Sequence, residues 1–201
     1  MLSASLAASF LLTSFLIEIT PGPNMTYLAL VSASEGRRAG FATVAGITLG
    51  LGTIGLIAAF GVAELIQASP LIYELLRWGG VLFLFYLAWD GWRSASTLDD
   101  SSSHGKYFVR GLVTNLLNPK AGIFYVAVLP RFMDVDNPTI TQAIVLTAVY
   151  VGVATVVHMI IVVLAGSLEP VLNDPRREQL ARRVLSGLLA LVAIWFAWTT
   201  S

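Results

Sequence analysis

The chain has 201 residues, 56% of them hydrophobic and 12% charged, with a mean hydropathy of +0.78. A soluble domain carries about 25% charged residues, so the composition excludes an ordinary soluble domain and marks an integral membrane protein. Basic and acidic residues balance to zero net charge and cysteine is absent, which leaves no case for nucleic acid as a partner or for thiolate metal chemistry.

The N-terminus, Met1-Leu2-Ser3-Ala4, lacks the positive start of a secretory signal peptide. The first apolar segment, from about Ser5 to Ser34, is therefore read as a retained membrane span. It exceeds the roughly 20 residues a bilayer requires, but Thr20-Pro21-Gly22-Pro23-Asn24 interrupts its middle. Each proline lacks an N–H and clashes with the carbonyl four residues earlier, so the helix is expected to break there. Backbone carbonyls freed in hydrocarbon are costly unless protein or a water-filled cavity satisfies them. A break at membrane depth, with Glu18 beside it, points to a polar cavity through which something passes. The competing reading is a proline kink that only shapes packing.

Glu35-Gly36-Arg37-Arg38-Ala39-Gly40 reads as a short polar loop. Span 2, about Phe41 to Ala63, has no charge, and its Gly46/Gly50 pair has the spacing that lets another helix approach closely. Glu64 to Pro70 is a loop. Span 3, about Leu71 to Ser94, carries Trp78, Tyr86, Trp89 and Trp92 toward its ends, where aromatic belts form. Asp90 and Arg93 share a helix face and read as an interfacial ion pair. Ser96 to Gly105 is a flexible linker by composition, with His104 solvated.

Span 4, about Tyr107 to Phe132, holds Asn115, Asn118, Pro119 and Lys120 and is again broken by proline beside a charge. Met133 to Pro138 is a turn. Span 5, about Thr139 to Leu168, has no formal charge and one histidine, His158, read either as a packing residue or as a proton relay. A charged loop, Glu169 to Arg183, leads to span 6, about Val184 to Trp198.

The expected fold is thus an all-α integral membrane protein of six transmembrane helices, forming one transporter domain over residues 1–201. Sliding the chain by 98 positions puts Pro21 on Pro119, span 2 on span 5 and span 3 on span 6. The halves, residues 1–96 and 107–201 joined by a linker at 97–106, then read as two inverted three-helix repeats, since three spans per half is an odd number. Inverted repeats with broken helices at matching positions point to a transport site near the midplane. Loops 1–2, 3–4 and 5–6 with their flanks hold Arg37, Arg38, Arg93, Lys106, Arg110, Arg176, Arg177, Arg182 and Arg183, against Arg77 and Arg131 opposite. Basic loops face the cytoplasm, so both termini are expected outside, on the periplasmic face.

The chemistry of the two breaks suits a zwitterion. Glu18 and carbonyls freed around Pro21, Gly22 and Pro23 can accept from an ammonium. Lys120, the amides of Asn24, Asn115 and Asn118, and the N–H groups opening the half-helix after Pro119 can meet a carboxylate. Lys120 lies about 12 residues from either end of its span, about 18 Å of helix, too far to snorkel easily. An unpaired ion at mid-depth costs at least about 2.5–3.5 kcal/mol, so Glu18 and Lys120 are expected to pair in the empty site. Glu18 is the deepest acid and the first choice for proton coupling, with His158 next.

Two stretches also carry a family resemblance. Thr20-Pro-Gly-Pro-Asn24 with Gly36-Arg-Arg-Ala-Gly40, and Phe108-Val-Arg-Gly-Leu-Val-Thr-Asn-Leu-Leu-Asn-Pro-Lys120 with Phe124 and Leu129-Pro-Arg-Phe132, resemble the LysE/RhtB family of amino-acid exporters. The likeness covers nearly the whole chain in order and is nearer to the family's threonine, homoserine and leucine exporters than to its lysine exporters. It implies a bacterial inner-membrane exporter of amino acids or their derivatives, driven by the proton gradient. Asp90, among the terminal aromatics of span 3, departs from the family's pattern.

The partners implied are an amino acid, protons and the lipid bilayer, with a homo-oligomer allowed; no cofactor is called for. The alternative is a metal or other ion transporter on the same scaffold, which would need a cluster of hard or imidazole ligands. Intramembrane enzymes and primary pumps are disfavoured, since Gly-x-Ser-x-Gly, His-Glu-x-x-His and the phosphate-binding loop are all missing. The arginine asymmetry yields a direct check: a reporter active only when exported, fused after Ser201, should be active. Cytoplasmic activity of that fusion would overturn both the orientation and the six-span count.

Overall fold

The computed structural model of the protein describes residues 4–20, 22–60, 70–93, 103–133, 139–167 and 175–199. Pro21 lies outside the described residues, as do most of the expected linker and nearly all of the loops expected after spans 2 and 4. Among the described residues there is no strand. The helices are α1 (Ala4–Ile19), α2 (Pro23–Ser34), α3 (Gly36–Ala59), α4 (Pro70–Arg93), α5 (Ser103–Leu116), α6 (Pro119–Ile123), α7 (Ile140–Gly166) and α8 (Pro175–Thr199). A π-helical turn (Phe124–Val128) and a 3-10 turn (Leu129–Phe132) extend α6.

The chain breaks at both expected places. Pro23 and Pro119 each stand in the first turn of a new helix, where a missing N–H costs nothing. Gly22 is fully extended ahead of α2. The α1–α2 pair bends by 60° and the α5–α6 pair, with its extension, by 50°. α3 and α7 are each long and apolar enough to cross a membrane unbroken, so the described chain offers two such spans, or four if each bent pair is one span. α7 opens with a reciprocal cap between Thr139 and Gln142, each bond 3.2 Å long. α4 and α8 fall short on composition. Charged residues flank the apolar stretch Trp78–Asp90 of α4. In α8 the uncharged run after Arg183 is shorter than the roughly 20 residues a span takes.

Three boundaries differ from those read in the sequence. The polar loop expected at 35–40 is a single residue, Glu35, between α2 and α3. Gly36 makes this possible with φ 83°, a conformation that costs glycine little and other residues much. α8 begins at Pro175, inside the expected charged loop, because proline suits a first turn and the arginines can sit on a helix extending out of the apolar layer. α5 begins at Ser103, inside the expected linker.

The helices pack across the two halves of the chain. α3 runs along α5 and α7, α4 along α8, and α7 also covers α1 and α2. Glycine sets the closest of these approaches. The backbone of Phe108 in α5 rests against Gly46, and the Thr43 carbonyl of α3 against Gly111. Three apolar clusters result among the described residues, the smallest of them Leu28, Val44 and Val162. Of the larger two, one joins Phe10, Ile47, Leu51, Phe124, Tyr125 and Tyr150, and the other Tyr27, Leu30, Leu84, Leu87, Tyr107 and Leu189. Leucines, isoleucines and valines on the outside of α1, α7 and α8 remain exposed, as a lipid-facing wall requires. The tryptophans at 78, 89, 92, 195 and 198 all stand exposed on α4 and α8.

A Cβ on Gly46 would collide with the α5 backbone, whereas one on Gly52 would meet nothing within 4 Å. Gly46→Ala should therefore lower stability by about 1–3 kcal/mol through overpacking. Gly52→Ala should raise it by up to about 1 kcal/mol through helix propensity. Thermal melting in detergent distinguishes the two, and equal effects would refute the close α3–α5 contact.

Candidate functional site

The two breaks face each other. Between them lies a cavity lined by Glu18 from α1, Gly22, Asn24 and Met25 at the start of α2, Asn118, Lys120 and Ala121 at the second break, Leu51 of α3, and Tyr150 and His158 of α7. Six residues expected from the sequence to form a site, Glu18, Gly22, Asn24, Asn118, Lys120 and His158, thus meet across about 140 positions of chain. The cavity volume is about 10 Å³, room for roughly one water. An amino acid cannot enter without the helices moving apart.

Glu18 is buried, 5% exposed. One carboxylate oxygen accepts from the Tyr150 hydroxyl at 2.6 Å, and the other lies 3.3 Å from His158 Nε2, which is completely buried. Tyr150, Ala154 and His158 recur at four-residue intervals along the buried face of α7. Phe124 stacks on the Tyr150 ring at 3.6 Å between centroids and 12° between planes, and Tyr125 meets its edge. The Tyr125 hydroxyl in turn donates to the Leu51 carbonyl at 2.9 Å. The carboxylate is therefore held by a tyrosine that is itself wedged in an aromatic cluster.

Lys120 does not pair with Glu18, contrary to the sequence expectation. Its ammonium donates to the Thr20 carbonyl at 2.9 Å, and its methylene stem lies against Gly22. The physical reason is the break itself. Thr20 ends the α1 ladder, so its carbonyl needs a donor, while α7 already supplies partners to both oxygens of Glu18. Asn118 also differs in its role. Its side chain caps α6 by accepting from the Lys120 amide at 3.1 Å, and the next two amides turn back to the Asn118 carbonyl. Those N–H groups are thus satisfied within the turn rather than held open for a ligand.

Asn24 lines the cavity with a side-chain oxygen that has no hydrogen-bond partner. Asn115 does not line it. Asn115 is fully buried against Gly50 with neither amide atom paired. Pro23 is buried at the start of α2, Pro119 opens α6, and Pro21 is outside the described residues. Sequence reasoning missed Tyr150, Tyr125 and Phe124. The signal for Tyr150 was its place two turns before His158 in an uncharged span.

Asp90, expected to pair along its own helix with Arg93, is instead held from α5, by Arg110 at 2.6 Å. Arg93 lies over the Trp89 ring. Sequence spacing finds the neighbour one turn away and cannot find a partner brought in by packing. Among the described residues, no group of three or more His, Cys, Asp or Glu side chains gathers to hold a metal, and no observation favours the ion-transporter alternative.

Apolar spanning helices, two of them broken around a small polar cavity, define a multi-pass membrane transport protein. The chain belongs to the LysE type translocator family, whose model matches residues 15–200. It is similar to the homoserine/homoserine lactone efflux protein of Salmonella typhimurium (strain LT2), with 29% identity over 194 residues covering 94% of each chain. The protein of the same description from Salmonella typhi is also 29% identical, over 199 residues and 94% of each chain. No solved structure matches.

Removing the Tyr150 hydroxyl leaves a buried carboxylate short of a donor, which costs about 1–3 kcal/mol. Tyr150→Phe should lower thermal stability in detergent by that amount, and Glu18→Gln combined with it should cost less than the two changes separately. Additive losses would refute the coupling.

Proposed function

We propose that the protein exports small amino acids or their derivatives across the bacterial inner membrane by proton antiport with alternating access. The observation that carries the reading is the cavity itself: a carboxylate held by tyrosine and histidine on one side, a lysine on the other, at two matched helix breaks. Homoserine and its lactone, named for the Salmonella relatives, are the first substrates to test. The six-span arrangement of two inverted repeats, with both termini outside, belongs to this proposal. The contacts of α3 with α7 and of α4 with α8 support it, because each pairs corresponding spans of the two halves.

In this reading the substrate ammonium replaces Tyr150 or His158 at Glu18. The carboxylate meets Lys120 and the positive end of α2. When Lys120 turns to the substrate it releases the Thr20 carbonyl, so occupancy and the state of the α1–α2 break are linked. Binding can shift the helices only by as much as it favours one arrangement over the other. A proton arriving at the Glu18–His158 pair from outside removes the negative charge that holds the ammonium, and the substrate leaves.

The test is efflux of L-homoserine from proteoliposomes under an imposed pH gradient. Glu18→Gln keeps the shape and removes the titration. It should abolish accumulation against a gradient while some downhill exchange remains. A Glu18→Gln protein that still concentrates substrate would move the coupling role to His158. Pro119→Ala should insert normally and transport far more slowly, because α5 and α6 can then join; wild-type efflux would make the break architectural only.

A further inference from the structure

A second polar cavity, of about 30 Å³, opens between α2, α4 and α5 near the arginine-rich ends of these helices. Its charged lining is Glu35, Asp90, Lys106 and Arg110, and Tyr27 and Ser34 complete the polar surface. Arg110 donates to Asp90 at 2.6 Å and to the Tyr86 hydroxyl at 3.1 Å. These two bonds use two of the five N–H groups a guanidinium carries. The Tyr27 hydroxyl, on a side chain 2% exposed, makes no hydrogen bond of good geometry and faces the Arg110 guanidinium. A buried hydroxyl without a well-formed hydrogen bond is costly, and this one lines a cavity beside a guanidinium with donors to spare.

The two cavities share α2. Asn24 lines the first and Tyr27 the second, one turn apart on one face, about 4.5 Å of helical rise. Their chemistry is also parallel: each offers an acid, a base and a buried polar group without a well-formed hydrogen bond. The ion pair of the second cavity joins α4 of the first half to α5 of the second.

We propose that this second cavity is a shallower site for the zwitterionic head of an amino acid, occupied before the substrate reaches the cavity at the helix breaks. Arg110 takes the carboxylate in a paired, two-bond geometry. Asp90 takes the ammonium, and the Tyr27 hydroxyl completes the carboxylate's partners. Because about 30 Å³ holds only a couple of waters, the head group inserts as α4 and α5 part at the Arg110–Asp90 ion pair, exchanging that mutual pair for two new ones. The proposal rests on the export reading above and adds to it a selectivity for the free carboxylate that is set outside the central cavity.

Homoserine lactone retains the ammonium of homoserine and lacks the free carboxylate, so the two make a matched pair of probes. Counterflow of each is measured in vesicles containing the full chain. Arg110→Gln is expected to raise the KM for homoserine relative to that for the lactone by about tenfold, the effect of one charge-assisted pair. Asp90→Asn is expected to raise both KM values together. Tyr27→Phe, which keeps the ring packing, is expected to raise the homoserine KM by about threefold with kcat unchanged. Equal changes for both probes in Arg110→Gln would overturn the site and leave the pair a structural clasp. If Arg110→Gln does not reach the membrane, or if wild type carries homoserine alone, Tyr27→Phe decides. A homoserine KM unchanged there, or a loss confined to kcat, would overturn it. Wild-type vesicles that carry neither probe would instead tell against the export reading itself, an outcome distinct from any effect of the variants.

Discussion

Everything in this structure depends on a rule of the bilayer interior: a backbone carbonyl without a donor cannot be left in hydrocarbon. The chain breaks this rule's usual solution twice, at Pro23 and at Pro119, and then lets one break repair the other. The lysine that follows Pro119 reaches 100 residues back to the carbonyl of Thr20. Asn118 caps its own turn. Neither half could hold its break closed in the same way alone, so the cavity is a joint product of both.

The remaining architecture positions groups around that repair. Close glycine contacts draw α3 against α5, carrying the second break toward the first. α7, uncharged along its whole length, brings Tyr150 and His158 to Glu18 without adding a formal charge of its own. The stack of Phe124 on Tyr150 fixes the phenol's direction, and Phe124 stands at the start of the π-helical turn. Such turns widen a helix locally and recur at functional positions. A carboxylate buried this deeply is tolerable because both oxygens have company.

Much of this was legible in the residues. Proline chemistry located both breaks, and the coincidence of Glu18, Asn24, Asn118 and Lys120 with them anticipated which side chains would share a cavity. What the sequence concealed were choices among partners. Lys120 could answer either a carboxylate or a carbonyl, and only the placement of α7 decides for the carbonyl. Asp90 has an arginine one turn away and another on a different helix, and packing decides for Arg110. Asn115 looked like a site residue by type and position, yet the helix phase points it at Gly50. Polar residues do not by themselves mark a loop here: Gly36 compresses the expected six-residue loop to an elbow, and the arginines of α8 are helical.

The tryptophans have a spectroscopic consequence. All five stand exposed on α4 and α8, on the outer wall, and none lines either cavity. Near the central cavity the aromatic groups are phenylalanine and tyrosine, which emit weakly beside indole. The native ultraviolet emission of this protein is therefore a report on its lipid surroundings. Brominated acyl chains should quench it, and substrate should pass through almost unseen.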